Sequence, residues 1–582
     1  MKTEVKLDHI RHSLAHVLAA AVLKKFPDAK LGIGPTIDDG FYYDFLLPRT
    51  LTPEDLKEFE KSMKKMIGQK LPFVGKEITT AEGKKLFKNQ PFKLELIKEF
   101  SQEKKPLTVY STGDIFTDLC RGGHVENTKE INADGFKLDR LAGAYWKGDE
   151  KNQQLQRVYG LAFENGEALK KFIEMRTEAE KRDHKKLGLQ LDLFVFSELV
   201  GSGLPLWTPK GTILRNLLDD FVWELRKKRG YVKVEIPHIT KKELFQVSGH
   251  WDKFKKELFQ IKTREGHEFA MKPMSCPHHA QIYARHQWSY RELPQRYANT
   301  TMCYRDEQTG ELSGLSRARS FTQDDAHVFC RMEQAKEEFL KIWDIVHEFY
   351  SSFGLSLQVR LSLRDPEHPE KFLGDLSQWK KAEEMLREIA GEKKTDVSEG
   401  IGEAAFYGPK LDFMAKDSLG REWQVATIQL DMNQPERFDL ACINEKGEHE
   451  RIVMIHAAIM GSIERFLSII IEHFAGAFPL WLSPVQVEII PVGEKFEKYA
   501  LGIKEKLLAE NIRVSLKPAD ETLGKRIREA EMMKIPYVLV VGEKEEKNET
   551  VNVRHYKKGQ IGELPVNDLV KKLSQEILEK KI

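Results

Sequence analysis

Residues 164–186 read ENGEALKKFIEMRTEAEKRDHKK, a long, highly charged helical stretch with only a thin apolar stripe. Such a helix has no face broad enough to pack into a core and reads as a solvent-bridging connector. The chain is therefore expected to divide there, with residues 1–163 folding before it and other domains after it. At 582 residues it has length for about three to five domains.

Before the connector, Leu14, Val17, Leu18, Val22 and Leu23 recur at helical spacing between His9 and Phe26. Short β-rich runs such as FYYDF follow, so this region mixes helix and sheet. Beyond the connector, residues 187–481 form the largest domain. Amphipathic helices at 214–228 and 332–353 alternate there with strand-like runs at 231–236 and 421–430, up to a buried-looking helix at 461–474. The turn-prone LSP at 482–484 opens a strand (VQVEIIPV), a helix (495–510), a strand (IRVSLK), a helix (523–534) and a strand (YVLVVG). That alternation predicts a small, mostly parallel α/β domain over 482–582. The whole is an α+β multidomain chain.

Lys+Arg at 92 against Asp+Glu at 90 leaves +2, with 41% hydrophobic and 31% charged residues. Neither a disordered polyelectrolyte nor an indiscriminate polyanion-coating protein fits, while local basic patches for one shaped nucleic acid stay open. Five cysteines, Cys120, Cys276, Cys303, Cys330 and Cys442, lack any framework spacing, which points to a reducing compartment. The start carries no signal pattern, and the most apolar stretch, 452–482, is interrupted by Glu464, Arg465 and Glu472. The expectation is a cytoplasmic protein with no membrane span.

Two constellations carry chemistry. In HSLAH, His12 and His16 stand four apart on one helical face, and CRGGH presents Cys120 and His124 at the same spacing. Four soft or borderline donors could converge on zinc, or these could be two unrelated structural pairs; spacing leaves both readings open. The second constellation lies in the large domain: Cys276 in MKPMSCPHH, Arg305 and Glu307 in YRDE, Arg317 and Phe321 in RARSF, and His327 at the end of QDDAH. AFYGPK, WQVATIQL, His456 in MIHAA and Arg465 in GSIERF follow. An arginine fork can clamp phosphates and an aromatic face can stack adenine, so together these residues suit a nucleoside triphosphate.

The set resembles the three motifs of class II aminoacyl-tRNA synthetases: RGYVKVEIP ending at Pro237, YRDE with RARSF, and GSIERF. Within that class, MKPMSCPHH, RSFTQDDAHVF, EAAFYGPKLDF and VMIHAAIMGSIERF are similar to the threonyl-tRNA synthetase family, over nearly the whole chain. The resemblance implies an α+β editing domain, a catalytic domain on an antiparallel sheet, and a C-terminal α/β anticodon-binding domain. The activity it implies is ATP-dependent activation of L-threonine, transfer to tRNA(Thr), and hydrolytic editing of seryl-tRNA(Thr).

Carried over residue by residue, the resemblance implies one zinc ion per subunit on Cys276, His327 and His456. Cys303, His327 and Cys330 would also make a soft-ligand site, and spacing does not choose between the sets. Asp325 would read the threonine hydroxyl, and Met274, Gln323, Tyr407, Lys410 and Gln429 would line the amino-acid side. Arg305, Glu307, Arg317, Phe321, Gln424, Thr427 and Arg465 would hold ATP with Mg²⁺, and His250 would contact the acceptor ribose. His12, His16, Lys93, Asp118, Cys120 and His124 would form an editing site that works without zinc, helped by the tyrosines of FYYD. Arg528, Glu545 and Arg554 would read the anticodon, and a homodimer follows from the segment around Pro237. The sequence departs from the family in starting at the editing domain, without a ubiquitin-like module. It also has His278 where a glycine is expected and Ala457 where a basic residue is common. The alternatives are a class II synthetase for proline or serine, and a non-catalytic RNA-binding regulator; the latter should have lost Arg305, Arg465 or a zinc ligand.

Overall fold

The structure, a computed structural model, describes residues 2–103, 105–393, 395 and 397–582. The chain forms two compact units, Met1–Thr177 and Glu178–Ile582.

The first unit contains α1 (Lys2–Lys25), β1 (Gly40–Leu46), α2 (Pro53–Gly68), β2 (Phe73–Ile78), α3 (Pro91–Gln102), β3 (Leu107–Thr112), β4 (Phe116–Leu119), β5 (Phe136–Tyr145) and β6 (Gln154–Ala162). An antiparallel sheet runs β1-β6-β5, extended at β1 by two short strands, and a second sheet runs β2-β3-β4. The expected stripe on α1 is broader than a stripe, because every residue from Ser13 to Val22 is buried. Alanines at 15, 19, 20 and 21 let neighbours approach the helix all round, so helical spacing of the leucines understated its burial.

The connector is two helices, α4 (Gly166–Arg182) and α5 (His184–Gln190), rather than the one stretch the charge pattern suggested. Asp183 breaks it: its carboxylate accepts the N–H of Lys185 at 2.7 Å and caps the second helix.

The second unit continues with α6 (Pro209–Lys227), β7 (Val232–Lys233), α7 (Cys276–Tyr283), β8 (Gln295–Tyr304), β9 (Ser320–Cys330), α8 (Met332–Ser351), β10 (Leu357–Leu363), β11 (Val397–Ile401), β12 (Lys410–Lys416), β13 (Glu422–Asp431), β14 (Val453–Ala458) and α9 (Ile463–His473). Its eight-stranded sheet runs β7-β8-β9-β14-β13-β12-β10-β11. The inner pairings are all antiparallel, and only the edge strands β7 and β11 pair in parallel. Phe221, Phe349 and Phe466, one each from α6, α8 and α9, pack together in the core on one face of this sheet. The opposite face is left for chemistry. The strand expected at 231–236 shrinks to β7, an edge element whose Val232 stays half exposed.

The chain ends with β15 (Val487–Pro491), α10 (Glu497–Ala509), β16 (Val514–Leu516), α11 (Leu523–Met532), β17 (Tyr537–Val541), β18 (Thr550–His555), β19 (Gly559–Pro565) and α12 (Val566–Leu578). The sheet order is β16-β15-β17-β18-β19. The first two pairings are parallel and the last two antiparallel, so the sheet is mixed rather than mostly parallel. TVNVRH and GQIGELP form a hairpin without the apolar run that marks a buried strand, which is why the pattern of the sequence missed it.

Candidate active site and a second histidine cluster

Side chains alternate along a strand, so one register fixes a whole surface. On β9, Phe321, Gln323 and Asp325 lie on the open face, while Thr322, Asp324 and Ala326 are buried between them. His327 continues the open row. It pairs with His456 on β14, which pairs with Gln429 on β13, which pairs with Lys410 on β12. Segments far apart in sequence thus form one line across four strands.

Two compartments open over this surface. The smaller, about 130 Å³, is walled by Met274, Cys276, Gln323, Asp325, His327, Tyr407 and His456. The larger, about 800 Å³, is walled by Glu307, Arg317, Phe321, Gln424 and Arg465. Arg305, Gln323, Thr427 and Gln429 line both, so the two are halves of one cleft. The Arg305 guanidinium lies 5.3 Å from the Phe321 ring, and Arg317 pairs with Glu307 at 2.7 Å. Lys410 gives its ammonium to the buried Asp412, which also accepts Gln424 at 2.8 Å and Thr427 at 2.8 Å. Asp412 went unnoticed in the sequence, where nothing marks it among many aspartates.

At the end of the smaller compartment the ligand atoms of Cys276, His327 and His456 lie within 4.8 Å of one another. His327 Nε2 faces His456 Nδ1 at 3.1 Å, so at most one of the two facing nitrogens can carry a proton, and a cation taking both lone pairs fits the gap. Burial pushes the Cys276 thiol well above its ordinary range and holds His327 well below its own. Outer partners fix the rings: His279 Nδ1 lies 2.8 Å from His327 Nδ1, and Asp431 Oδ2 lies 3.0 Å from His456 Nε2. Asp431 is held in turn by Gln434 at 2.8 Å. The alternative set does not meet. Cys303 pairs with Phe321 and Cys330 lies nine residues further along the same strand, a separation of roughly 30 Å. His278 points its Nε2 at Thr240, 3.2 Å away, and is no part of the cluster.

His250 is fully buried, bonded to Ser248 at 2.8 Å and 3.6 Å from the Cys276 sulfur, with its pKa pushed down to about 4 by burial.

In the first unit the two spaced pairs do converge. His12, His16, Cys120 and His124 bring their ligand atoms within 4.8 Å of one another. Cys120 Sγ lies 3.4 Å from His12 and 3.2 Å from His124, whose other ring nitrogen meets Ser13 Oγ at 3.2 Å. Burial lowers His12, holds His16 well below its ordinary value, pushes His124 down to about 2 and lifts the Cys120 thiol to about 11. This is a cluster of neutral groups. Beside it the buried Lys93 and Asp118 pair at 2.6 Å, and Tyr43 donates to the other carboxylate oxygen at 2.5 Å. His12, His16, Lys93, Asp118 and Cys120 line a cavity of about 520 Å³.

The three C-terminal residues have separate surroundings. Arg528 is exposed on α11, Glu545 accepts the N–H of Gly542 at 3.0 Å, and Arg554 on β18 pairs with Glu531 at 3.3 Å.

Comparison with known proteins finds three matching families. Residues 259–474 match the tRNA synthetase class II core domain (G, H, P, S and T), residues 486–576 the anticodon binding domain, and residues 107–159 the threonyl and alanyl tRNA synthetase second additional domain. A threonine-tRNA ligase of Gloeobacter violaceus is 48% identical over 99% of this chain and 93% of its own length. That of Synechococcus elongatus is 46% identical over 99% and 96%. Among solved structures, the RNA binding domain of threonyl-tRNA synthetase from Cryptosporidium parvum aligns with a TM-score of 0.64 at 36% identity, covering 68% of this chain and 98% of that one.

Proposed function

The chain belongs to the threonine-tRNA ligases, class II aminoacyl-tRNA synthetases, and on that premise we propose how its own residues divide the work. The enzyme activates threonine with ATP and esterifies tRNA(Thr). The carrying observation is the register row from His327 through His456 to Gln429, which ends beside Cys276 and opens into the compartment holding Phe321 and Arg465.

Threonine occupies the smaller compartment and ATP the larger, with Arg305 at their junction. As the threonine carboxylate attacks the α-phosphorus and pyrophosphate leaves, Arg305 stabilises charge gathering on the phosphoryl oxygens. Phe321 and Arg465 sandwich adenine; Glu307, Arg317, Gln424 and Thr427 complete the nucleotide site, with Mg²⁺ on the phosphates. Met274, Gln323, Tyr407, Lys410 and Gln429 serve the amino-acid side, Lys410 through Asp412. Cys276, His327 and His456 would hold one zinc ion per subunit, and such an ion supplies open positions for the amino group and hydroxyl of threonine. Asp325 accepts the same hydroxyl. Threonine and valine have nearly the same shape, so a site demanding a hydroxyl rejects valine where an apolar pocket would not.

Serine satisfies that demand and is smaller, so hydrolysis must remove it. The neutral cluster of His12, His16, Cys120 and His124, with Lys93 and Asp118, suits water attack on the seryl ester: an unprotonated imidazole can take the proton from water. Residues 1–163 then form the editing domain, 187–481 the catalytic domain and 482–582 the anticodon-binding domain, in which Arg528, Glu545 and Arg554 read the anticodon. Val195, Phe196, Leu199 and Val200 are exposed apolar side chains within one short segment, which suits a second copy of the chain and supports a homodimer. Among the described residues no helix is long and apolar enough to cross a membrane, and the cytoplasm is the proposed location.

The test is Cys276→Ser in the full-length enzyme. It should lose both bound zinc and threonine-dependent ATP–pyrophosphate exchange. Retention of full zinc would place the metal elsewhere.

A further inference from the structure

His184, at the start of α5, lies outside both reaction sites and is buried with both ring nitrogens engaged. Nδ1 lies 2.6 Å from Glu472 Oε1, and Nε2 lies 3.1 Å from the backbone N–H of Leu315. The carboxylate requires a proton on Nδ1 and the N–H requires a lone pair on Nε2, so the tautomer is fixed. Asp183, His184 and Glu472 could be taken for a metal cluster. With one nitrogen donating and the other accepting, the imidazole has no lone pair left for an ion.

Leu315 belongs to one wall of the ATP compartment, and Glu472 to the helix that carries Arg465 into the other. Leu315 sits in a tight turn, where Ser313 N–H donates to Arg317 O at 3.1 Å and Ser316 N–H to Ser313 O at 3.0 Å. Leu315, Ser316 and Arg317 all line the larger compartment. Gly314 has a φ of +56°, and a Cβ there would come within 2.5 Å of His184 Nε2, so the turn reaches the imidazole only with glycine at that position. Glu472 lies two turns beyond Arg465 on α9 and also holds Arg421 at 2.6 Å, whose guanidinium lies 5.2 Å from the ring of Trp423 on the same compartment wall.

We propose that His184 is a positioning residue that ties the turn carrying Arg317 to the helix carrying Arg465, and so sets the width of the nucleotide site. The inference rests on the assignment of the larger compartment to ATP. Loss of the Leu315 bond should free the turn and weaken ATP binding, while the threonine compartment, built on β9, β13 and β14, stays as it is.

Two substitutions separate the bonds. In His184→Gln the side-chain oxygen can reach the position of Nε2 and accept from Leu315. In His184→Asn the amide can replace Nδ1 toward Glu472 but falls short of Leu315. In threonine-dependent ATP–pyrophosphate exchange, His184→Asn should raise the KM for ATP about tenfold, the weight of one lost hydrogen bond, with the KM for threonine little changed. His184→Gln should stay near wild type, because the backbone N–H at position 184 still donates to Glu472 Oε1 at 3.1 Å and preserves the tie to α9. Gly314→Ala attacks the same contact from the turn and should reproduce the Asn phenotype, which keeps the test open if His184→Asn fails to fold. Equal KM values for ATP in all the folded variants, or a lower melting temperature as the only change, would overturn the role. Wild-type enzyme without threonine-dependent exchange would instead overturn the assignment of the site.

Discussion

Asp431 decides which nitrogen His456 presents to the cleft. Its Oδ2 accepts from His456 Nε2, and its Oδ1 is fixed by the backbone N–H groups of Asn433 and Gln434 at 2.8 and 3.0 Å. Nδ1 is then left facing His327. Replacing Asp431 by Asn keeps the shape but removes the charge that holds this tautomer. Metal affinity should fall by about 10 to 100-fold, as for other outer partners of a metal site, measured as zinc retained after dialysis against graded chelator. Unchanged retention would mean that Asp431 only braces the loop after β13. Cys276, His327 and His456 were legible through the family resemblance, and the residues behind them were not. Nothing in CPHH says that His279 rather than His278 turns toward His327. Asp431 reads in sequence as the end of an apolar strand, and its function exists only once β13 and β14 are paired.

At the scale of elements, α1 carries His12 and His16 into a buried neutral cluster, and that gives the helix an acid limit. His16 and His124 are held below the ordinary histidine range by burial, so the unfolded state binds more protons than the native state once pH falls below about 6.5. Stability is fully present above that pH and declines below it, by about 1.4 kcal/mol per pH unit for each histidine kept neutral. Amide-exchange protection of residues 6–25, corrected for intrinsic exchange, should therefore drop steeply between pH 7 and pH 5.5. Flat protection across that range would show that the cluster accepts protons without opening. The helix was visible in the spacing of its leucines, and its closure with Cys120 and His124 was not, since spacing places residues on a face without saying what meets that face. The same limit explains the central sheet. Its long inner strands were readable as runs, whereas the short edge strand β7 and the C-terminal hairpin lack the apolar signal that burial on both faces imposes.

For the whole molecule, the C-terminal fold has its own core around Val487, Leu539 and Val551, separate from the cleft. Arg554→Ala should reduce charging of normal tRNA(Thr) and make little difference on a transcript with a mutated anticodon. Equal losses on both transcripts would reduce Arg554 to a structural partner of Glu531. Light scattering at micromolar concentration should give the mass of two chains, and a fully active monomer would refute the dimer. The measurement that tests the central claim most directly is amino-acid-dependent ATP–pyrophosphate exchange by the full-length enzyme with threonine, serine and valine. A cleft that selects by hydroxyl predicts strong exchange with threonine, weaker exchange with serine, and a kcat/KM for valine about 10⁴-fold below that for threonine. Valine activated as readily as serine would contradict it.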